Sequence, residues 1–220
     1  MTNVNGTLFF VANDGVSGYE LWKSNGTSEG TMLVRDVHPT AHGLGAPSPW
    51  YLLEEVNHTL TNVDGILYFP ASDGIHGFEL WRSDGTLEGT YLEKDIRPGK
   101  ESSSPFWLRE LNGSLYFSAN DGSAGEELWK RDTDGTFLTT NLRLGPVSSS
   151  PRYLVVVDNS LYFIADAYYP GLWRIDEGDN NVHHVANVST LTGNYYSPQA
   201  SELTNVAGTL YFVGATEDGG

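Results

Sequence analysis

The chain has no cysteine. That excludes a disulfide framework, a thiolate zinc site and thiol nucleophiles. Bases are scarce: 12 Lys and Arg face 28 Asp and Glu, a formal net charge of −16. An acidic surface of this size repels phosphate backbones, so no nucleic-acid partner is expected. It suits solubility, or a salty or calcium-containing medium. No apolar run has the length of a membrane span, so no membrane insertion is expected either. The opening residues, MTNVNGTLFFVANDG, lack the basic start and long apolar middle of a signal peptide. The expectation is a removed leader or a segment of something longer. There is no HExxH, GxSxG or glycine-rich phosphate loop, and no amphipathic helix of useful length.

What is present is repetition. YELWKSNGTSEGTMLVRD begins at Tyr19, and FELWRSDGTLEGTYLEKD begins at Phe78. A second run, of the type NGTLFFVA, recurs around Leu8, Leu67, Leu115, Leu161 and Leu210, at spacings of 59, 48, 46 and 49. The Trp of the first motif recurs at Trp22, Trp81, Trp129 and Trp173. A run of the SPxxL type precedes the Leu run, and one of the LVRD type follows the Trp. Each unit therefore carries four short apolar runs, too short for helices. The breaks between them are turn chemistry. Asn5-Gly6, Asp64-Gly65 and Asn112-Gly113 supply the positive φ angles of two-residue hairpins. Asp14-Gly15, Asp73-Gly74 and Asp121-Gly122 form a second set, and Asn25-Gly26, Asp84-Gly85 and Asp134-Gly135 a third.

Four strands per unit of about 48 residues is the signature of a β-propeller blade. The expected fold is all-β, a propeller of four-stranded antiparallel blades. It has five blade positions, the terminal ones incomplete, in one domain over residues 1–220 or in a segment of a longer array. The second strands are placed near 7–12, 66–71, 114–119, 160–165 and 209–215. The incomplete blades would leave open edges for a homo-oligomer.

Glu20-Leu21-Trp22 through Gly26-Thr27, Glu79-Leu80-Trp81 through Asp84-Gly85-Thr86, and Glu127-Leu128-Trp129 with Asp134-Gly135-Thr136 resemble the ELWxxDGT repeat proteins. The first copy has Asn25 for Asp and the third inserts two residues. The fourth, GLWRIDEG, lacks both the Glu and the Asp-Gly-Thr. The resemblance implies blades of large, secreted, multidomain proteins and no single activity.

Three sets of residues are candidates for chemistry. Trp22, Trp81, Trp129 and Trp173, with Glu20, Glu79 and Glu127, repeat too evenly to be a specific site. They read as structural, the Trp as blade-to-blade packing and the Glu as an acceptor for loop amides or a neighbouring base. Asp14, Asp73 and Asp121 offer carboxylates suited to calcium, although turn chemistry alone accounts for them. The approach to the first strand varies most: Trp50 and Tyr51, Phe106 and Trp107, and Arg152 and Tyr153 form pairs fit to stack on a sugar. His38, His42, His58, His76, His183 and His184 make only a weak metal candidate. Sequons at Asn5, Asn25, Asn57, Asn112 and Asn187 arise readily from hairpin Asn-Gly-Thr/Ser and say little about secretion.

The expectation is an extracellular binding or adhesion module with a glycan, or else a protein, as its ligand, calcium being its one candidate cofactor. One alternative is an enzyme acting from the non-repeated loops 38–49 and 180–196. Another is a structural spacer in a repeat array.

Overall fold

The computed structural model describes residues 1–38, 60–179, 181–187 and 201–213. It is all-β, with no helix among these residues.

Four sheets have four strands each, in simple meander order. The first holds β1 (Thr2–Val4), β2 (Thr7–Asn13), β3 (Tyr19–Ser24) and β4 (Met32–Arg35). The second holds β5 (Thr61–Val63), β6 (Ile66–Ala71), β7 (Glu79–Ser83) and β8 (Tyr91–Lys94). The third holds β9 (Phe106–Leu111), β10 (Ser114–Asn120), β11 (Glu126–Asp132) and β12 (Gly135–Thr140). The fourth holds β13 (Arg152–Val157), β14 (Ser160–Ala165), β15 (Gly171–Asp176) and β16 (His183–Asn187). A two-stranded sheet follows, β17 (Ser201–Val206) and β18 (Thr209–Val213).

Local chemistry explains the first turn of the first three sheets. Asn5 and Gly6 take φ of 50° and 84°, and Asp64 and Gly65 take 49° and 87°. Val4 then pairs with Thr7, and Val63 with Ile66. Two successive left-handed residues give the turn a twist that matches the strands, which is why Asx-Gly stands there. The register beyond the turn is shared. Phe10, Phe69, Phe117 and Phe163 face Trp22, Trp81, Trp129 and Trp173 across the ladder. A bulge follows each time, where the third strand meets the fourth.

The chain divides into two compact units, Met1–Leu108 and Arg109–Gly220. Within the first, the first two sheets share one core: Val4, Phe9, Leu21 and Val34 pack with Leu60, Leu67, Phe69 and Trp81. Lys23 Nζ donates to the Gly85 carbonyl at 2.7 Å, and Arg35 Nη1 to the Thr90 carbonyl at 2.6 Å, closing the rim of that core. Within the second unit, Ile164 and Leu172 are buried beneath Tyr153, Tyr162, Ala186, Leu203 and Leu210. The β17–β18 hairpin is thereby seated on the fourth sheet, and Asn205 Nδ2 donates to the Val156 carbonyl at 2.9 Å.

Candidate functional site

In the first three sheets a buried carboxylate ties the third strand to the chain that leaves the sheet. Glu20, Glu79 and Glu127 are fully buried. Glu79 accepts hydrogen bonds from Ile96 N at 2.8 Å, Ser103 N at 2.9 Å and Ser103 Oγ at 2.6 Å. Glu127 accepts equivalent bonds from Leu142 N, Ser149 N and Ser149 Oγ, at 3.1, 3.1 and 2.6 Å. Burial pushes all three carboxyl groups above their ordinary range, and these hydrogen bonds work against it.

The clasp has a second part. Two residues before Glu79 stands Gly77, where a Cβ would lie 2.5 Å from the Glu101 carbonyl oxygen and 2.7 Å from Ser102 Cα. Two residues before Glu127, Gly125 is as close to the backbone of Val147 and Ser148. The departing chain runs over these glycines, and neither leaves space for a side chain. Gly77→Ala is therefore expected to destabilise by about 2 kcal/mol, the usual cost of overpacking. Gly15→Ser, in a turn where an added Cβ meets nothing within 4 Å, would suffer only from its positive φ. Urea unfolding of both variants checks the difference.

The fourth sheet abandons both parts. Seven residues, SDGIHGF, separate Ala71 from Glu79, whereas five, DAYYP, separate Ala165 from Gly171. Gly171 occupies the place of the clasping Glu, and Tyr169 the place of the crowded Gly. Tyr168 and Tyr169 are 81% and 58% exposed. The turn that carries them is nonetheless anchored. Ala167 is buried, Asp166 N donates to the Ser149 carbonyl at 2.6 Å, and the Arg152 guanidinium grips Asp166 with Nη1 and Nη2 at 2.9 and 3.1 Å.

Four rings follow one another from this turn across the third and fourth strands. Tyr168 meets Tyr169 edge-on with centroids 5.0 Å apart. Tyr169 lies 6.0 Å from His184, and His184 lies 5.0 Å from Trp173. His184 is exposed and Trp173 is buried. Beside the ladder, His183 Nε2 lies 2.8 Å from Asp179 Oδ2, and this contact holds the Asp179 carboxyl below its usual range. The result is an aromatic ladder, anchored at its turn and exposed at Tyr168, Tyr169 and His184, with polar groups at its side.

The residues singled out in the sequence fall elsewhere or join this site indirectly. Trp50 and Tyr51 lie outside the described residues, as do His42, His58 and most of the loops 38–49 and 180–196. Phe106 and Trp107 touch edge to face at 5.3 Å. Trp107 and Tyr153 share a left-handed backbone, φ 56° each, and both are partly buried. Tyr153 packs into the core under β17 and β18, and Arg152 supports the Tyr168–Tyr169 turn.

Trp81, Trp129 and Trp173 are buried and Trp22 is partly so; Trp129 Nε1 donates to the Ala119 carbonyl at 3.1 Å. Asp14, Asp73 and Asp121 each accept the amides two and three residues on, Asp14 from Val16 N at 2.8 Å and Ser17 N at 2.7 Å. Those bonds keep Asp14 below the ordinary carboxylate range; at Asp73 and Asp121 they outweigh a contrary push from partial burial. Among the described residues no three His, Asp or Glu side chains gather closely enough to hold a metal ion.

Sequence reasoning missed Tyr168, Tyr169 and His184 as a group. The signal was the two residues missing from DAYYP, against three turns that spell Asp-Gly.

No protein-family model and no curated protein matches the chain. Among solved structures, a computationally designed protein, Ika8, is similar over 99% of this chain, with a TM-score of 0.50 and 16% identity. The chain spans 55% of that protein's length. At this identity the likeness concerns the fold alone.

Proposed function

We propose that the chain is an extracellular binding module, a β-propeller of the ELWxxDGT type, whose ligand is a carbohydrate held on the Tyr168–Tyr169–His184 ladder. The propeller reading is supported by four meander sheets of one register, the first two of which pack on each other through one shared core. The observation that carries the ligand reading is the exposed Tyr pair on an anchored turn. The tyrosines stand in the one described sheet that has lost both its carboxylate clasp and the glycine beneath it.

Exposed tyrosines on a mobile turn would cost entropy to stack; here Arg152 and Asp166 have already fixed the turn. Sugar C–H faces suit Tyr rings, and His183, Asp179 and the Tyr hydroxyls supply donors and acceptors for sugar hydroxyls. The acidic surface favours a neutral glycan over a polyanionic one. A glycan array should give binding to neutral oligosaccharides, unchanged by chelator. Each stacked ring contributes about 0.5–1.5 kcal/mol, so Tyr169→Ala is expected to weaken the best hit roughly tenfold. An array with no hits, or a Tyr168→Ala/Tyr169→Ala double variant that binds as the parent does, sinks the reading.

A further inference from the structure

The outer edge of β18 is the strongest unclaimed surface. In the four larger sheets the second strand is bonded on that side by the strand spelled ELW or, in the fourth, GLW. Among the described residues nothing pairs with that side of β18. Both faces of β18 are open as well. Tyr211 and Phe212 are 58% and 40% exposed, whereas Tyr68 and Phe69 at the same places in β6 are 1% exposed. Val206 and Val213 are exposed beside them.

We propose that β18 is a docking edge for an extended ELW-type strand contributed by a polypeptide segment not already folded into a sheet. The four sheets specify the occupant. Val11, Phe10, Phe9 and Leu8 face Leu21, Trp22, Lys23 and Ser24 in the first sheet. By the same register Val213 faces an incoming Leu, Phe212 its Trp, Tyr211 its Lys and Leu210 its Ser. The Phe–Trp pairing holds in all four sheets, and the third places Lys130 Nζ 5.7 Å from the Tyr116 ring centre, a cation–π contact waiting to be made at Tyr211. A folded copy of these sheets cannot be the donor, because β3, β7, β11 and β15 are each bonded on both sides. The partner is thus a free segment of that spelling, bound by strand addition. Main-chain bonds supply affinity, and the alternate side chains supply selection.

A fluorescent peptide of residues 17–36, SGYELWKSNGTSEGTMLVRD, titrated with the whole chain tests this by anisotropy. Saturable binding is expected, about tenfold or more tighter than for a scrambled peptide, with slowed amide exchange over residues 209–213. Phe212→Lys and Tyr211→Lys should each weaken it at least about tenfold, and Val16→Lys, in an exposed turn between β2 and β3, should not. Circular dichroism establishes that each variant is folded. Equal binding of the scrambled peptide, or no slowing of exchange in β18, overturns the proposal. So does a concentration-dependent dimer by light scattering that Phe212→Lys abolishes while no peptide binds, because the edge then belongs to a second copy.

Discussion

Glu79→Ala is expected to cost on the order of 3 kcal/mol or more, seen as a lower urea midpoint with an unchanged slope. The carboxylate is buried beneath the chain that leaves the second sheet, and Ile96 N, Ser103 N and Ser103 Oγ all donate to it. Removing it strands buried donors that the alanine methyl cannot serve, and each unserved donor costs about 1–3 kcal/mol. Ser103 Oγ can turn to the Phe78 carbonyl, which it already approaches at 3.3 Å, so the loss falls chiefly on the two amides. Glu79→Gln should lose less, because the amide oxygen keeps one acceptor in place. Ser103→Ala removes only the hydroxyl and should cost about 1 kcal/mol. If Glu79→Ala unfolds where the parent does, the clasp is not what holds the second sheet to the chain that follows it.

The all-β class was legible because short apolar runs and Asx-Gly turns agree at every level, and the Asn5-Gly6 and Asp64-Gly65 hairpins have the left-handed pairs their spelling predicts. Asn25-Gly26 is different. The dipeptide suggests a tight hairpin, yet β3 ends at Ser24 and β4 begins at Met32. Side chains close this longer loop: Ser24 Oγ meets Thr31 Oγ1 at 2.7 Å, and Asn25 Oδ1 accepts from Thr27 N and Oγ1. Local spelling showed that the chain turns, and only the hydroxyl network set the length. The clasp was half legible for a similar reason. A repeated Glu beside a buried Trp announces an acceptor, but its donor Ser103 lies 24 residues away. The Tyr168–Tyr169 ladder escaped because attention to repeated letters passes over a place defined by letters that are missing.

The first sheet varies the clasp in a way that makes it titrate. Ser103 and Ser149 stand two residues before Pro105 and Pro151; two residues before the corresponding Pro49 stands Pro47, which has neither an amide proton nor a hydroxyl. Pro47 lies outside the described residues, so its place rests on the spelling alone. Glu20 accepts bonds from Val37 N and His38 N at the longer distances of 3.2 and 3.3 Å. Burial, aided by Asp36 and Asp14, pushes its carboxyl up to about 7, and those two amides only partly oppose this. A carboxyl raised on folding from about 4.5 binds its proton more tightly in the native state. Its contribution to stability is full below about pH 4.5, declines through the interval and is gone above about pH 7. That contribution is on the order of 2–3 kcal/mol. Glu20→Gln, which cannot ionise, lacks this slope. Subtracting its unfolding free energy from that of the parent, pH by pH, cancels the opposing trend from Asp14, Asp73 and the other low carboxylates. The difference is expected to move against the parent as pH rises from 4.5 to 7 and to be level on either side. A difference that is flat across this range would mean that Glu20 stays ionised in the folded chain, held so by Val37 and His38 despite its burial.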